Sequence, residues 1–230
     1  MTYIGSKRLI AQFILSYIQK ALEIFPNGKY IEPFVGGANI IDKIKHHTRI
    51  GFDSNKYLIA LYNQAKINPQ SIKEAVIKSR DDYNYVRANK DEFQDWYVGL
   101  VGLLTTFSSN WMGGYMLDKD PNRLLKGINS LFKQDLSDIQ FYHRDYRDIY
   151  VGKGNVFYLD PPYRIRDHYK AKFNHEEFYD WAKYVSKDNY LLISEYYMPP
   201  EFTCIFQQPV LARTGFEPVK RVEKLFIYHP

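Results

Sequence analysis

Asn155-Val156-Phe157-Tyr158-Leu159 is an apolar, β-rich run, opened by Gly154 and closed by Asp160-Pro161-Pro162-Tyr163. A short run without polar alternation reads as a strand buried on both faces, as in the centre of a parallel sheet covered by helices. The two prolines supply no backbone N–H and fix φ, so the ladder stops at Leu159. Asp160 is thereby set at the carboxyl end of a buried strand, the edge of such sheets outside which ligands bind.

The rest of the pattern builds the same class. Ser6 to Ala21 reads as a helix, with Ile10, Ile14, Tyr17, Ile18 and Ala21 on one face. Pro26-Asn27-Gly28 breaks the chain. Lys29 to Phe34 reads as a strand running into Val35-Gly36-Gly37, followed by a helical stretch from Asn39 to His46 and a second strand from Thr48 to Phe52, ending at Asp53. The middle changes character. Helical patterns cover Leu58 to Ala65, Ser71 to Lys78 and Glu92 to Leu104, and a loop follows from Ser108 to Tyr115. Strands resume at Ile139 to Tyr142, Val156 to Leu159, Tyr190 to Ser194 and Val222 to Tyr228, with an amphipathic helix at Glu176 to Val185. The expected fold is α/β: a doubly wound, mostly parallel Rossmann-like sheet with one antiparallel strand near the C-terminus, plus an inserted helical lobe. Residues 1–56 and 136–230 are expected to form one domain, and residues 57–135 the inserted lobe.

Composition narrows the setting. The chain has 230 residues, 45% hydrophobic and 25% charged, as in globular proteins. No uninterrupted apolar run is long enough to span a membrane. Met1 to Arg8 leads into an amphipathic pattern and not a signal-peptide core, so a cytoplasmic protein is expected. The single cysteine, Cys204, excludes an internal disulfide and suits a reducing compartment. Its neighbours Phe202, Ile205 and Phe206 place it in the core by expectation. The formal net charge of +5 favours a polyanionic partner, while most of the 21 tyrosines taken alone read as core packing, with base stacking as the alternative. The histidines show no metal-ligand spacing, and no metal is expected.

The residue types of the tetrapeptide fit one chemistry. The lone pair of a nucleobase amine is delocalised into the ring, so the nitrogen attacks an electrophile only when acceptors draw its hydrogens out of the ring plane. The Asp160 carboxylate is one acceptor and the Pro161 carbonyl a second. Pro162 removes a competing donor, and Tyr163 offers a flat face for the base. Glu32-Pro33-Phe34-Val35-Gly36-Gly37-Ala38-Asn39 is a glycine turn at the end of the first strand, where a ligand can approach the backbone closely. Asp53 lies at the end of the second strand, placed to accept hydrogen bonds from a ribose diol. The turn does not match the GxGxxG dinucleotide fingerprint.

In these residues the chain resembles the Dam-type, α-group DNA adenine-N6 methyltransferases, in the form common in phage genomes. Tyr3-Ile4-Gly5-Ser6-Lys7 is similar to the family's N-terminal segment that helps hold S-adenosylmethionine. Pro33, Phe34, Val35, Gly36, Gly37, Ala38 and Asn39 fall in the methyl-donor loop, with Ala38 where many relatives have Gly. Asp53 resembles the family's ribose-binding acid. Asp145 and Tyr146 resemble the segment near the donor's adenine ring, although Arg144 replaces the usual Gly. Asp160 to Tyr163 is the catalytic tetrapeptide, and Ser194-Glu195-Tyr196 and Glu223 to Phe226 match later landmarks.

The resemblance implies transfer of a methyl group from S-adenosylmethionine to N6 of a flipped-out adenine in double-stranded DNA. It implies a protein that is monomeric in solution and acts in a bacterial or phage-infected cell, either in restriction–modification or alone. Arg164, Arg166 and Lys170, in a basic loop after the tetrapeptide, are expected at phosphates. Ser109, Asn110, Arg123 and Lys126 are the expected DNA contacts of the inserted lobe. Cytosine-N4 methylation shares the amine chemistry, but relatives of that kind usually carry Ser in place of Asp160. RNA as target, glutamine-amide methylation and non-catalytic DNA binding are the further alternatives.

Overall fold

The computed structural model describes residues 1, 7, 10–150, 152–163, 173–214 and 217–228. Seven strands, β1 (Tyr30–Glu32), β2 (Arg49–Asp53), β3 (Ile139–His143), β4 (Val156–Leu159), β5 (Tyr190–Ser194), β6 (Thr203–Thr214) and β7 (Glu217–Ile227), form a sheet in the order β3-β2-β1-β4-β5-β7-β6. Strands β1, β4 and β5 are parallel. Strand β7 runs against β5, and β6 against β7. The strand order reverses direction between β1 and β4, the switch point at which doubly wound sheets bind ligands. The mixed, mostly parallel sheet agrees with the class expected from sequence. The chain divides into two compact units.

Unit A comprises Lys7–Phe34, Ile44–Ile50 and Tyr146–Pro230. All four residues of β4 are buried, which explains its unbroken apolar sequence. Helix α1 (Ala11–Ile24) buries Ile14, Ile18, Ala21 and Leu22, a stripe at helical spacing that packs on β4 and β5. It stops where Pro26-Asn27-Gly28 turns the chain. A Cβ at Gly28 would lie 2.0 Å from the Gly154 carbonyl oxygen, so only glycine fits there. Helix α7 (His175–Ser186) is capped by the Asn174 side chain, carries Glu176 and Glu177 in its first turn, and buries Phe178, Tyr179 and Ala182.

Unit B comprises Met1–Ser6, Val35–Lys43 and Gly51–Asp145. Helix α2 (Lys56–Ile67) starts where the Asn55 side chain accepts from the N–H groups of Tyr57 and Leu58, and it buries Leu58, Leu61 and Tyr62. It packs against α5 (Asp95–Leu104), whose residues Val98 to Leu104 are all buried. The short α3 (Pro69–Glu74), α4 (Arg80–Ala88) and α6 (Arg123–Leu131) complete the helices of this unit among the described residues.

Two expectations are corrected. The stretch from Asn39 to His46 is not an α-helix; only Ile41–Lys43 coils, as one 3-10 turn. Ile40, Ile41 and Ile44 are nonetheless buried, so tertiary packing takes their apolar side chains without a helix. Cys204 is exposed rather than in the core. It lies on β6, the outermost strand, beside a register shift between Cys204 and Phe206 that breaks the inward–outward alternation. Strand β6 and helices α4 and α6 had no counterpart in the sequence reading.

Candidate active site

In unit A, parallel pairing sets Tyr30 opposite Val156 and Ile31 opposite Phe157, and Leu159 opposite Ile193. The carboxyl ends of β1, β4 and β5 therefore lie side by side, bringing Glu32, Asp160 and Glu195 to one edge. Lys7 donates to the Asp160 carboxylate at 2.8 Å. The lysine side chain is 5% exposed and the aspartate 25%. The same ammonium lies 4.4 Å from the centroid of the Tyr163 ring. Tyr163 is buried, packs edge-on against Tyr196 with centroids 4.5 Å apart, and directs its hydroxyl to Glu223 at 3.4 Å. Tyr196 donates to the other Glu223 oxygen at 3.3 Å. Pro161 is buried and Pro162 exposed.

Beneath this edge the buried hydroxyls are paired. Tyr158 and Ser194 share a hydrogen bond of 2.8 Å, and Tyr30 donates to Glu32 at 2.7 Å.

Burial raises the Asp160 carboxyl above its ordinary value of 3.8; the Lys7 ammonium pulls it back, and the Glu223 charge pushes it further up. The quarter of its surface left open limits the burial penalty. The Tyr163 phenol is raised well above the ordinary tyrosine value by burial first and then by Asp160 and Glu223, so it stays neutral and able to donate. An ionised carboxylate held by a buried lysine, beside a proline carbonyl and a neutral phenol, can accept hydrogen bonds from an amine and stabilise a cation formed on it.

In unit B the glycine turn follows β1. Gly36 has φ +43° and Ala38 φ +52°, the left-handed region that glycine tolerates and alanine rarely adopts. The turn closes through Ala38 N–H to the Val35 carbonyl at 2.8 Å. Gly36 N–H donates to one Asp53 oxygen at 3.1 Å and Asn55 N–H to the other at 2.9 Å. Burial raises the Asp53 carboxyl, and these two N–H bonds oppose the rise. Each carboxylate oxygen retains a second acceptor direction. S-adenosylmethionine, the donor implied by the sequence resemblance, fits these residues. The acceptor capacity left on the Asp53 carboxylate suits a ribose diol. The buried Gln134 Oε1 is an acceptor without a partner among the described residues.

The other expected site residues fall as follows. Pro33 and Val35 are buried; Phe34 and Asn39 are half-buried, and Asn39 accepts from the Met1 amine at 3.1 Å. Tyr146 is buried among Phe34, Phe178 and Trp181, with Phe34 at 5.3 Å. Asp145 is half-buried. Lys7, assigned by resemblance to the donor segment, is the ion-pair partner of Asp160. Ser109 is buried with φ +53°, whereas Asn110 is exposed. Arg123 donates to the Thr106 carbonyl at 3.1 Å, and Lys126 pairs with Asp120 at 2.9 Å. Tyr3, Arg164, Arg166 and Lys170 lie outside the described residues. Among the described residues, no group of three His, Cys, Asp or Glu side chains is placed to hold a metal ion, and no helix is long and apolar enough to cross a membrane.

The sequence reading gave no role to Tyr196 or Glu223. The resemblance marked both segments, but only pairing of β5 with β7 reveals that they meet at Tyr163.

Among solved structures the chain is similar to TrmN from Thermus thermophilus, at 11% identity and a TM-score of 0.38, over 91% of this chain and 47% of that one. It thus spans about half of TrmN's length. It is also similar to the rRNA methyltransferase aviRa from Streptomyces viridochromogenes, at 11% identity and a TM-score of 0.38, over 93% of this chain and 83% of that one. Residues 3–97, which hold Lys7, the glycine turn and Asp53, match the D12 class N6 adenine-specific DNA methyltransferase family.

Proposed function

We propose that this protein transfers a methyl group from S-adenosylmethionine to N6 of an adenine flipped out of duplex DNA. The observation that carries the proposal is the Lys7–Asp160 pair at the end of a fully buried strand, followed directly by Pro-Pro-Tyr. When bound, S-adenosylmethionine would supply a methyl carbon made electrophilic by its sulfonium, with a neutral thioether as the leaving group once the carbon–sulfur bond breaks. Asp160 and the Pro161 carbonyl accept the two amine hydrogens and pull the nitrogen lone pair out of conjugation. Lys7 favours the ionised form of Asp160, the only form that is purely an acceptor. As the nitrogen forms its bond to carbon it becomes cationic, and the carboxylates at this edge stabilise that charge. The methylated cation is strongly acidic and loses its proton readily. Tyr163 supports the base. A base stacking on the ring face now under Lys7 displaces the ammonium.

Flipping the target costs a few kcal/mol of unstacking. We assign DNA recognition to residues 57–135, with Asn110, Arg123 and Lys126 as its contacts, and phosphate contact to Arg164, Arg166 and Lys170; Ser109 is buried and is not assigned a contact. Tyr3, Asp145 and Tyr146 are assigned to the donor side. The protein acts as a monomer in the cytoplasm. Asp160→Ala tests the assignment. Transfer of tritiated methyl to DNA is expected to drop by about 10³ or more, as for loss of the main polar group at a reacting centre. The Kd for DNA is expected to stay within about threefold, because phosphates supply most of the affinity. Undiminished transfer would remove Asp160 from the chemistry.

A further inference from the structure

Three consecutive carbonyls of the glycine turn are held by side chains of unit B. Tyr62, on α2, donates its hydroxyl to the Gly36 carbonyl at 2.6 Å. Gln134 donates through Nε2 to the Gly37 carbonyl at 2.8 Å and to the Ala38 carbonyl at 3.0 Å. Both turn carbonyls can only accept, which fixes Nε2 rather than Oε1 as the atom facing them. The turn needs such support, because Ala38 adopts a left-handed φ of +52° and is fully buried. On the opposite side Asp53 accepts the Gly36 N–H. One amide and one phenol, joined by the Met1 amine at 3.4 Å from the Gly37 carbonyl, therefore hold the carbonyl side of the turn, while a carboxylate holds its first N–H. The Gln134 Oε1 is buried without a partner among the described residues, so what keeps the side chain there is the bonding of its Nε2.

We propose that Gln134 is a positioning residue for the methyl-donor site, with Tyr62 as its helper: their bonds to three turn carbonyls keep Gly36 to Asn39 in the shape that receives the donor. The inference rests on reading the turn as the donor site. Loss of the amide lets Ala38 relax toward an ordinary φ, and the turn then has to be reordered each time a donor binds. The cost falls on donor affinity and not on the transfer step.

The test is calorimetric titration of S-adenosylmethionine into wild-type protein and three variants, with thermal melting and steady-state kinetics in parallel. Gln134→Met conserves size and removes both donors. Gln134→Glu conserves shape but sets a carboxylate against two carbonyls. Tyr62→Phe removes one hydroxyl and nothing else. The expected result is a donor Kd raised about tenfold in Gln134→Met, more in Gln134→Glu and about threefold in Tyr62→Phe. KM for the donor should rise in step, with kcat at saturating donor within about twofold of wild type. A wild-type Kd in Gln134→Met, or in Tyr62→Phe should the Gln134 variants not fold, overturns the proposal. So does a lowered kcat at unchanged KM. A wild-type protein that binds no S-adenosylmethionine overturns the donor reading itself, an outcome distinct from variants that bind as well as wild type.

Discussion

In the proposed mechanism Asp160 is a pure acceptor only when ionised, and the pH dependence follows from its surroundings. Burial raises its carboxyl, so the rate of transfer should rise with pH through an apparent pKa above the ordinary 3.8. Lys7→Met removes the charge that opposes this rise, and the acid limb should move to higher pH; pH–rate profiles of both proteins check the sign. Stability runs the other way. A carboxyl whose folded pKa lies above its unfolded one favours folding below the unfolded pKa, and that contribution is lost as pH rises through the folded pKa. Part of this site was legible beforehand. Proline chemistry and an unbroken apolar run place Asp160 at the end of a buried strand from the sequence alone. The role of Lys7 was not legible, because its partner is 153 positions along the chain and only folding brings its ammonium to 2.8 Å from the carboxylate. Glu223 was hidden for the same reason.

Elements marked by a continuous apolar run are the legible ones. Strand β4 runs over the expected residues, Val156–Leu159, and β5 over Tyr190–Ser194, each a continuous apolar run with polar flanks. Helix α4 escaped although its start was written in the sequence: Ser79 and Asp82 form a reciprocal capping box. Ser79→Ala should lower stability by about 1 kcal/mol, measurable by denaturant unfolding. The contact of α5 with α2 depends on one missing side chain. A Cβ at Gly99 would lie 2.1 Å from the Tyr57 carbonyl oxygen, so the helices must separate to admit it. Gly99→Ala is expected to destabilise by about 1–3 kcal/mol, the usual range for overpacking, despite the better helix propensity of alanine. A rise in the melting temperature would contradict the close packing of these helices. The helix expected from Asn39 to His46 failed because isoleucines three and four apart suit any buried segment, and the left-handed Ala38 starts the chain in another direction.

At the scale of the whole molecule, a net charge of +5 is modest, so the proposed DNA binding depends on where the cations stand. A footprint of about six phosphates should lose about 10³ in affinity between 50 and 200 mM salt. Neutralising Arg164, Arg166 or Lys170 should each reduce the slope of log K against log salt by about 1. A slope unchanged in all three variants would move the phosphate contacts elsewhere. The sheet class was legible because apolar strands, a glycine turn and alternating helices admit few topologies. The base sequence recognised was not, since it depends on a few side chains reaching base edges.

The central claim is that an adenine amine is the nucleophile. Incubating the protein with tritiated S-adenosylmethionine and unmethylated DNA, then digesting the DNA to nucleosides and separating them, tests it most directly. Label is expected in N6-methyladenine alone, and is expected to be absent with Asp160→Ala. Label in N4-methylcytosine, or DNA binding with no label in any nucleoside, would contradict it.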